Sequence, residues 1–285
     1  MAEKYFDFDG ISEFAKEVAL KELDETPENV TNGLRELKRL LELETNINVP
    51  IDNELWLMNF LRLCKFKPES AKQKIFRHLN LKKSLNFAES FQYDDTNLPK
   101  AKGMFCGLKQ RDKLGRRVII IRIEQWDPKI LDRQVLLNVT YPILNLLRLE
   151  PDTQINGWIF ILDLKGLNYT HVLAMTPRLI KTLIDFVLHF LPMRARGYHI
   201  VNNPFFFQPI FKLVKQFLPE EFRSLVMMHG KNMSELHRYI APECLPECYG
   251  GTAEDVELPL EESYSVVKKY ENTLKHFLEC EIKDT

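Results

Sequence analysis

Apolar residues recur at three- and four-residue spacing through the first part of the chain. On this pattern Ser12–Leu23, Thr31–Leu43 and Asp52–Leu63 each read as a helix, and Asp52 can cap the third. Pro68 suits a helix's first turn, and Ala71, Ile75, Leu79 and Leu81 carry that helix to about Ser84. The polar, Pro-terminated stretch Asp94–Pro99 reads as a boundary. Beyond it the grammar changes. Val118–Ile123 (VIIIRI) and Gly157–Asp163 (GWIFILD) are short β-branched or aromatic runs typical of buried strands, and Gly197–Asn202 and Leu225–His229 are further candidates. Helical segments lie between them: Asp132–Leu149, Pro177–Phe190 and Pro204–Leu218. Asp127 before Pro128 and Thr176 before Pro177 are cap and first-turn signals. This alternation predicts an α/β domain with a largely parallel sheet. Glu254–Thr285 reads as an acidic tail with one helix, roughly Leu260–Leu278.

Charge changes the picture more than composition does. Across 285 residues the formal net charge is -1. Residues 1–30, however, carry 3 Lys against 9 Asp/Glu, and residues 254–285 carry 4 Lys against 9. The middle is therefore positive by 10, concentrated in Arg62–Lys83 and Arg194–Arg238. Such stretches are either solvated helix faces or an anionic contact surface. The longest uncharged run is the 15 residues Gly197–Phe211, interrupted by Pro204 and Pro209 and too short to cross a bilayer. Met1–Gly10 holds Glu3, Asp7 and Asp9 with no apolar core, so no secretory leader is expected. Five cysteines in no framework spacing fit a cytoplasmic chain with reduced thiols.

The sequence holds no nucleophile elbow, no Walker-type phosphate loop and no dinucleotide fingerprint. Seven histidines form no ligand pair. Cys244 and Cys248, with His237 upstream, lack the second pair a structural zinc site needs. Asp163, at the end of a candidate strand, is a possible acid without an identifiable base. No catalytic residue, metal or cofactor is expected, and the chain reads as a non-enzyme.

Pro204–Leu218 (PFFFQPIFKLVKQFL) stands out. On a helix, Phe206, Ile210, Leu213 and Phe217 form one row, and Phe207, Phe211, Val214 and Leu218 the next, with Lys212 and Lys215 at the edge. That stripe fits a sheet-covering helix or one that closes a cavity and lies on a bilayer.

Several motifs carry a resemblance: FLRLCKF with KPESA (60–71), GRRVIIIRIEQWDP (115–128), GWIFILDLKGL (157–167), LPMRARGYHIVNNP (191–204), MMHG (227–230) and LPECYGG (245–251). In this order they resemble the CRAL-TRIO lipid-transfer family, most nearly the branch of the α-tocopherol transfer and retinaldehyde-binding proteins. The resemblance implies a small helical domain (1–95), then a CRAL-TRIO α/β/α sandwich (96–253) with an enclosed lipid cavity and a gate helix on 202–225, then the acidic tail (254–285). It implies ligand contacts at Leu137, Thr140, Tyr141 and Leu144, at Leu162 and Leu167, and at Phe186, Val187, Leu191 and Met193. The gate adds Phe207, Ile210, Phe211 and Val214. Thr140 and Tyr141 are the expected hydrogen-bond donors. A phosphoinositide patch is implied at Arg194, Arg196, Lys212, Lys215 and Arg223, with Glu221 and Leu225 where relatives are basic.

The implied function is a soluble carrier that moves a hydrophobic ligand between membranes and releases it where phosphoinositides are present. The ligand would be a retinoid, a tocopherol-like or other isoprenoid, or a phospholipid. The alternative is a phosphoinositide-binding adaptor or trafficking regulator without dedicated cargo. A cytoplasmic monomer in transient contact with anionic membranes is expected, with no nucleic-acid partner.

Overall fold

The computed structural model describes residues 2–85 and 95–283. Its first three helices begin where side-chain oxygens cap them. Helix α1 (Glu13–Val18) starts at Ser12, whose side chain accepts from Ala15 N, and continues through a wide turn, Ala19–Leu23. Helix α2 (Pro27–Glu42) starts four residues before the expected Thr31. Thr26 caps it and Pro27 fills the first turn, ahead of the apolar periodicity. A two-residue strand, β1 (Ile47–Asn48), precedes α3 (Glu54–Leu63), whose cap is Asn53 rather than Asp52. Helix α4 spans Pro68–Ser84. At the expected boundary, Asp94 lies outside the described residues and Asp95–Ala101 forms a tight helical turn.

The main sheet holds β2 (Phe105–Leu108), β3 (Arg117–Arg122), β4 (Trp158–Asp163), β5 (Ala195–Val201), β6 (Val226–Gly230) and β7 (Glu257–Pro259). Its order is β6-β5-β4-β3-β2-β7. Strands β3 to β6 pair in parallel, and β2 and β7 extend the sheet antiparallel. The four parallel strands are those expected, each displaced by no more than two residues at either end. Strands β2 and β7 escaped the pattern because FCGL contains a glycine and ELP is three residues ending in proline.

Helix α5 (Arg133–Leu147) is capped by Asp132, which accepts from Val135 N. The Asp127–Pro128 signal instead closes a turn, with Leu131 N donating to Asp127 O at 2.8 Å. Then come α6 (Pro151–Asn156), α7 (Tyr169–Ala174) and α8 (Pro177–Asp185), the last extended by a wide turn, Phe186–Phe190. Helices α9 (Phe207–Phe217), α10 (Glu220–Arg223) and α11 (Met233–Leu236) flank β6 in sequence. One sheet face buries Val118, Ile120, Ile159, Ile161 and Val201 against Leu236, Ile240, Leu245 and Tyr249. The alternate residues Ile119, Ile121, Phe160 and Leu162 face the other way, as a period of two requires.

The acidic segment after 254 is no tail. It supplies β7, then α12 (Leu260–Lys269), α13 (Glu271–Leu278) and β8 (Glu281–Ile282), two helices where one was expected. Strand β8 pairs with β1, and Val266, Val267, Leu274, Phe277 and Cys280 are buried. Pro142 explains one contact. Lacking an N–H, it cannot bond the carbonyl of Asn138, and the Tyr264 hydroxyl donates to that carbonyl at 3.3 Å.

Buried histidines give the fold an acid limit. His78, fully buried and bonded through Nδ1 to Phe190 O, has its pKa pushed down to about 3 by burial and the nearby Arg148 charge. Burial, with His229 and Arg116 beside it, pushes His199 down to about 3. Both folded values lie below the unfolded value of about 6.5, so the unfolded chain takes up protons first. Stability is therefore complete above about pH 6.5 and falls towards pH 3, by up to about 1.4 kcal/mol per pH unit for each histidine. Urea denaturation at pH 7 and pH 5 measures this, and His78→Phe should flatten the slope. An unchanged slope would remove His78 from the account.

Candidate functional site: an apolar cavity

Between the sheet and helices α5, α8 and α9 lies a cavity of about 330 Å³. Protein interiors are close-packed, with few voids larger than a water molecule, so this is a built feature. Its floor is Ile119, Ile121, Phe160 and Leu162 from β3 and β4. Leu179, Ile180, Leu183 and Ile184 of α8 form one wall, and Phe207, Ile210 and Val214 of α9 form another. From α5 come Leu136, Thr140, Ile143, Leu144 and Leu147, one face at three- and four-residue spacing.

The polar lining residues are all committed to protein partners. Thr140 Oγ1 donates to Leu136 O at 2.8 Å within its own helix, and Ser263 Oγ bonds Pro259 O at 3.4 Å. Trp126 Nε1 donates to Leu131 O at 3.0 Å, Cys106 Sγ bonds Gly107 O, and Arg117 pairs with Glu150. Burial, with Glu257 close by, pushes the Cys106 thiol up to about 12, so it stays neutral. The cavity can therefore select by shape and volume, not by hydrogen bonding.

Of the residues expected at the ligand, Thr140, Leu144, Leu162, Phe186, Val187, Phe207, Ile210 and Val214 line this cavity. Leu137 and Tyr141 do not. They sit at the edge of the lining face and beyond it, about 20° and 60° around α5 from Leu144, and pack into the core that includes Trp56 and Phe60. Tyr141 meets the rings of Phe186 and Phe190 there, and burial raises its pKa. Leu191 and Met193 belong to that same core. Leu167 and Phe211 pack in the cluster flanking the cavity without reaching its lining. The expectation of hydrogen-bond donors at Thr140 and Tyr141 is thus corrected, since one hydroxyl is spent on its own helix and the other points elsewhere. Sequence reasoning missed the α8 wall, although Leu179, Ile180, Leu183 and Ile184 recur at helical spacing. It also missed the β2 and β7 contributions, which carry no periodic signal.

The CRAL/TRIO domain model matches residues 101–251 of this chain, the span that supplies β2 to β6 of the main sheet and most of the cavity lining. The chain belongs to the CRAL/TRIO family. Members of this family are lipid-binding and lipid-transfer proteins. Clavesin-1 of Rattus norvegicus is 28% identical over 246 residues, covering 85% of this chain and 70% of its own. Clavesin-2 of Homo sapiens is 27% identical over 248 residues, covering 85% and 75%. The crystal structure of Sfh5 superimposes with a TM-score of 0.50 at 17% identity, covering 93% of this chain and 99% of its own, a likeness of fold alone.

In this CRAL/TRIO chain the expected gate helix, α9, turns Phe207 and Phe211 inward. Lys212 and Lys215 are exposed, and Lys215 lies over the Phe211 ring at 4.8 Å from its centroid. Arg223 is exposed and donates from Nε to Leu218 O at 3.0 Å. It precedes β6, whose first residue pairs with Tyr198, so it shares a sheet edge with Arg194 and Arg196. Those two arginines are not free. Both pair with Glu22, at 2.6 and 2.5 Å.

The remaining polar candidates have structural partners. The Asp163 carboxylate accepts from Tyr249 Oη at 3.0 Å, Asn202 Nδ2 at 2.8 Å and Lys165 N at 2.9 Å, which ties three loops together. His237 Nε2 bonds Tyr249 O at 2.9 Å. Among the described residues no group of three His, Cys, Asp or Glu side chains could hold a metal ion. No helix among them is long and apolar enough to cross a membrane.

Proposed function

We propose that this protein carries one lipid in its cavity and delivers it at membranes that contain phosphoinositides. The cavity supports the reading most directly, because it has about 330 Å³ of apolar space whose polar side chains all bond protein atoms. Each 100 Å² of hydrocarbon taken from water there contributes about 2.5 kcal/mol. The wall offers no free donor, so the enclosed part of the ligand is hydrocarbon and its polar end sits at the mouth. An isoprenoid, a retinoid or tocopherol-like molecule, or an acyl chain of a phospholipid meets that condition. The same cavity favours a carrier over an adaptor without cargo.

Delivery requires contact with a bilayer, and exposed apolar side chains support that. Phe205 is 90% exposed, and Phe206, Tyr169, Leu173 and Ile130 are also exposed. They follow the carboxyl ends of β5, β4 and β3, which are parallel, so they share one edge of the sheet. Exposed apolar groups clustered this way mark an interaction surface. Helix α9 runs from that edge with Lys212 and Lys215 outward, suited to the phosphate level of an anionic leaflet.

The test has two parts. Organic extraction of purified protein should release one lipid class at close to one equivalent, and only buffer components in the extract would count heavily against the carrier. The pair Phe205→Asp and Phe206→Asp should retain that lipid but slow its transfer between vesicles at least tenfold, since two apolar anchors are lost. Undiminished transfer would rule out this edge as the docking surface.

A further inference from the structure

Arg194 immediately precedes β5 and Arg196 is its second residue, beside a register shift opposite Trp158 and Ile159. Their Nη2 atoms close on a single atom, Glu22 Oε2, at 2.6 and 2.5 Å. Each guanidinium is also held from behind by main-chain carbonyls: Arg194 donates to Ile155 O, and Arg196 Nε donates to Asn156 O at 2.9 Å. Gly157, at φ 84, lets that loop press against the strand, because a Cβ there would lie 2.3 Å from Arg194 O. The two guanidiniums are thus aimed in advance, and one anionic oxygen bridges them. Burial pushes the Glu22 carboxyl up, but its bonds to the two arginines outweigh this and hold it below the usual range, so it is charged at neutral pH.

Glu22 belongs to a segment with few large buried side chains. In residues 13–23 the buried side chains are Ala15, Ala19 and Leu23, while Phe14 and Leu20 are 44% and 58% exposed. Two alanines bury little area and Leu23 is the one large apolar anchor, so the arginine clamp is a main tether of this stretch. Beside it, Ser12 N donates to Asp152 Oδ1 at 3.0 Å, and the buried Glu25–Arg62 pair, at 2.7 Å, holds the chain just after the stretch.

We propose that Glu22 is an internal competitor for phosphate at the Arg194–Arg196 clamp, and that α1 with its following turn undocks when a phosphomonoester headgroup takes its place. This rests on the phosphoinositide reading above and adds its regulation and selectivity. A phosphomonoester carries close to two charges and three acceptor oxygens, against one charge on a carboxylate. A tethered carboxylate acts at an effective concentration of about millimolar, enough to turn away singly charged phosphodiesters while yielding to monoesters. The clamp therefore stays closed on bilayers whose anionic lipids are all diesters and opens on phosphoinositides.

The experiment compares wild type with Glu22→Gln by sedimentation with phosphatidylcholine vesicles doped with a phosphatidylinositol bisphosphate, and separately with phosphatidylserine. Glu22→Gln should bind the phosphoinositide vesicles about three- to tenfold more tightly and gain binding to phosphatidylserine. Equal affinity of the two proteins overturns the role of Glu22 alone. Absence of binding by both, or binding that survives Arg194→Glu with Arg196→Glu, overturns the phosphoinositide reading itself. Soluble inositol trisphosphate should compete with the vesicles, because the clamp reads phosphate; failure to compete would show that the bilayer, not the headgroup, is recognised and would overturn the clamp. In wild-type protein, amides 13–23 should lose hydrogen-exchange protection on vesicle binding. Retained protection in the bound state overturns the undocking without relying on any variant's folding.

Discussion

Thr140→Trp should abolish lipid binding and leave the protein folded. Thr140 lies on the cavity face of α5 with its hydroxyl turned back to Leu136 O, so an indole at this position enters the space a lipid would fill. Lipid recovered by extraction should fall below about a tenth of the wild-type amount, because hydrophobic ligand and indole compete for the same volume. The melting temperature should hold or rise, since filling a cavity recovers about 24 cal/mol per Å³. Tyr141→Phe is the matched control. Its hydroxyl lies outside the cavity, and its lipid content should match wild type. Equal lipid in Thr140→Trp would mean that the ligand lies elsewhere; lipid lost in Tyr141→Phe would mean that α5 turns differently.

The second large effect concerns stability. Glu150 is fully buried and accepts from Arg117, from Thr153 Oγ1 at 2.6 Å and from Asp7 N at 3.1 Å, with Arg111 at 3.2 Å. Burial alone would push its carboxyl up, but the charge and hydrogen bonds of Arg117, aided by Arg111 and Thr153, hold it below the usual range. Arg117 in turn donates to Tyr5 O, so one carboxylate joins the amino-terminal turn Ala2–Tyr5, β3 and α6. Glu150→Ala leaves two guanidiniums uncompensated and should cost about 3–5 kcal/mol in urea denaturation. A loss under about 1 kcal/mol would show that water replaces the carboxylate at little cost.

Much of this architecture was legible in the sequence. VIIIRI and GWIFILD announced β3 and β4 because strands covered on both faces read as continuous apolar runs. Pro68 and Thr176–Pro177 marked helix starts for a local reason, the unpaired amides of a first turn. Phe207, Ile210 and Val214 could be read as an inward stripe from spacing alone. Tyr141 could not. Periodicity fixes its angle around α5 relative to Thr140, but the chain does not say which of two apolar neighbours will cover each side.

The cluster of exposed apolar residues was likewise invisible. Ile130, Tyr169, Leu173 and Phe205 are far apart in sequence, and only the parallel pairing of β3, β4 and β5 brings their loops to one edge. The acidic stretch after 254 misled because net charge hides alternation. Val266, Val267, Leu274 and Phe277 are buried although the segment carries 9 acids.

By itself, then, the sequence determined the four parallel strands, most of the helices, the amphipathic stripe of α9 and the separation of acidic ends from a basic middle. These follow from local rules of capping, spacing and composition. The tertiary structure alone decided which face of α5 meets the cavity, that the acidic carboxyl-terminal segment closes the fold, and that Glu22 sits between Arg194 and Arg196. Such pairings join residues more than a hundred positions apart, and their energy exists only once the intervening chain has packed.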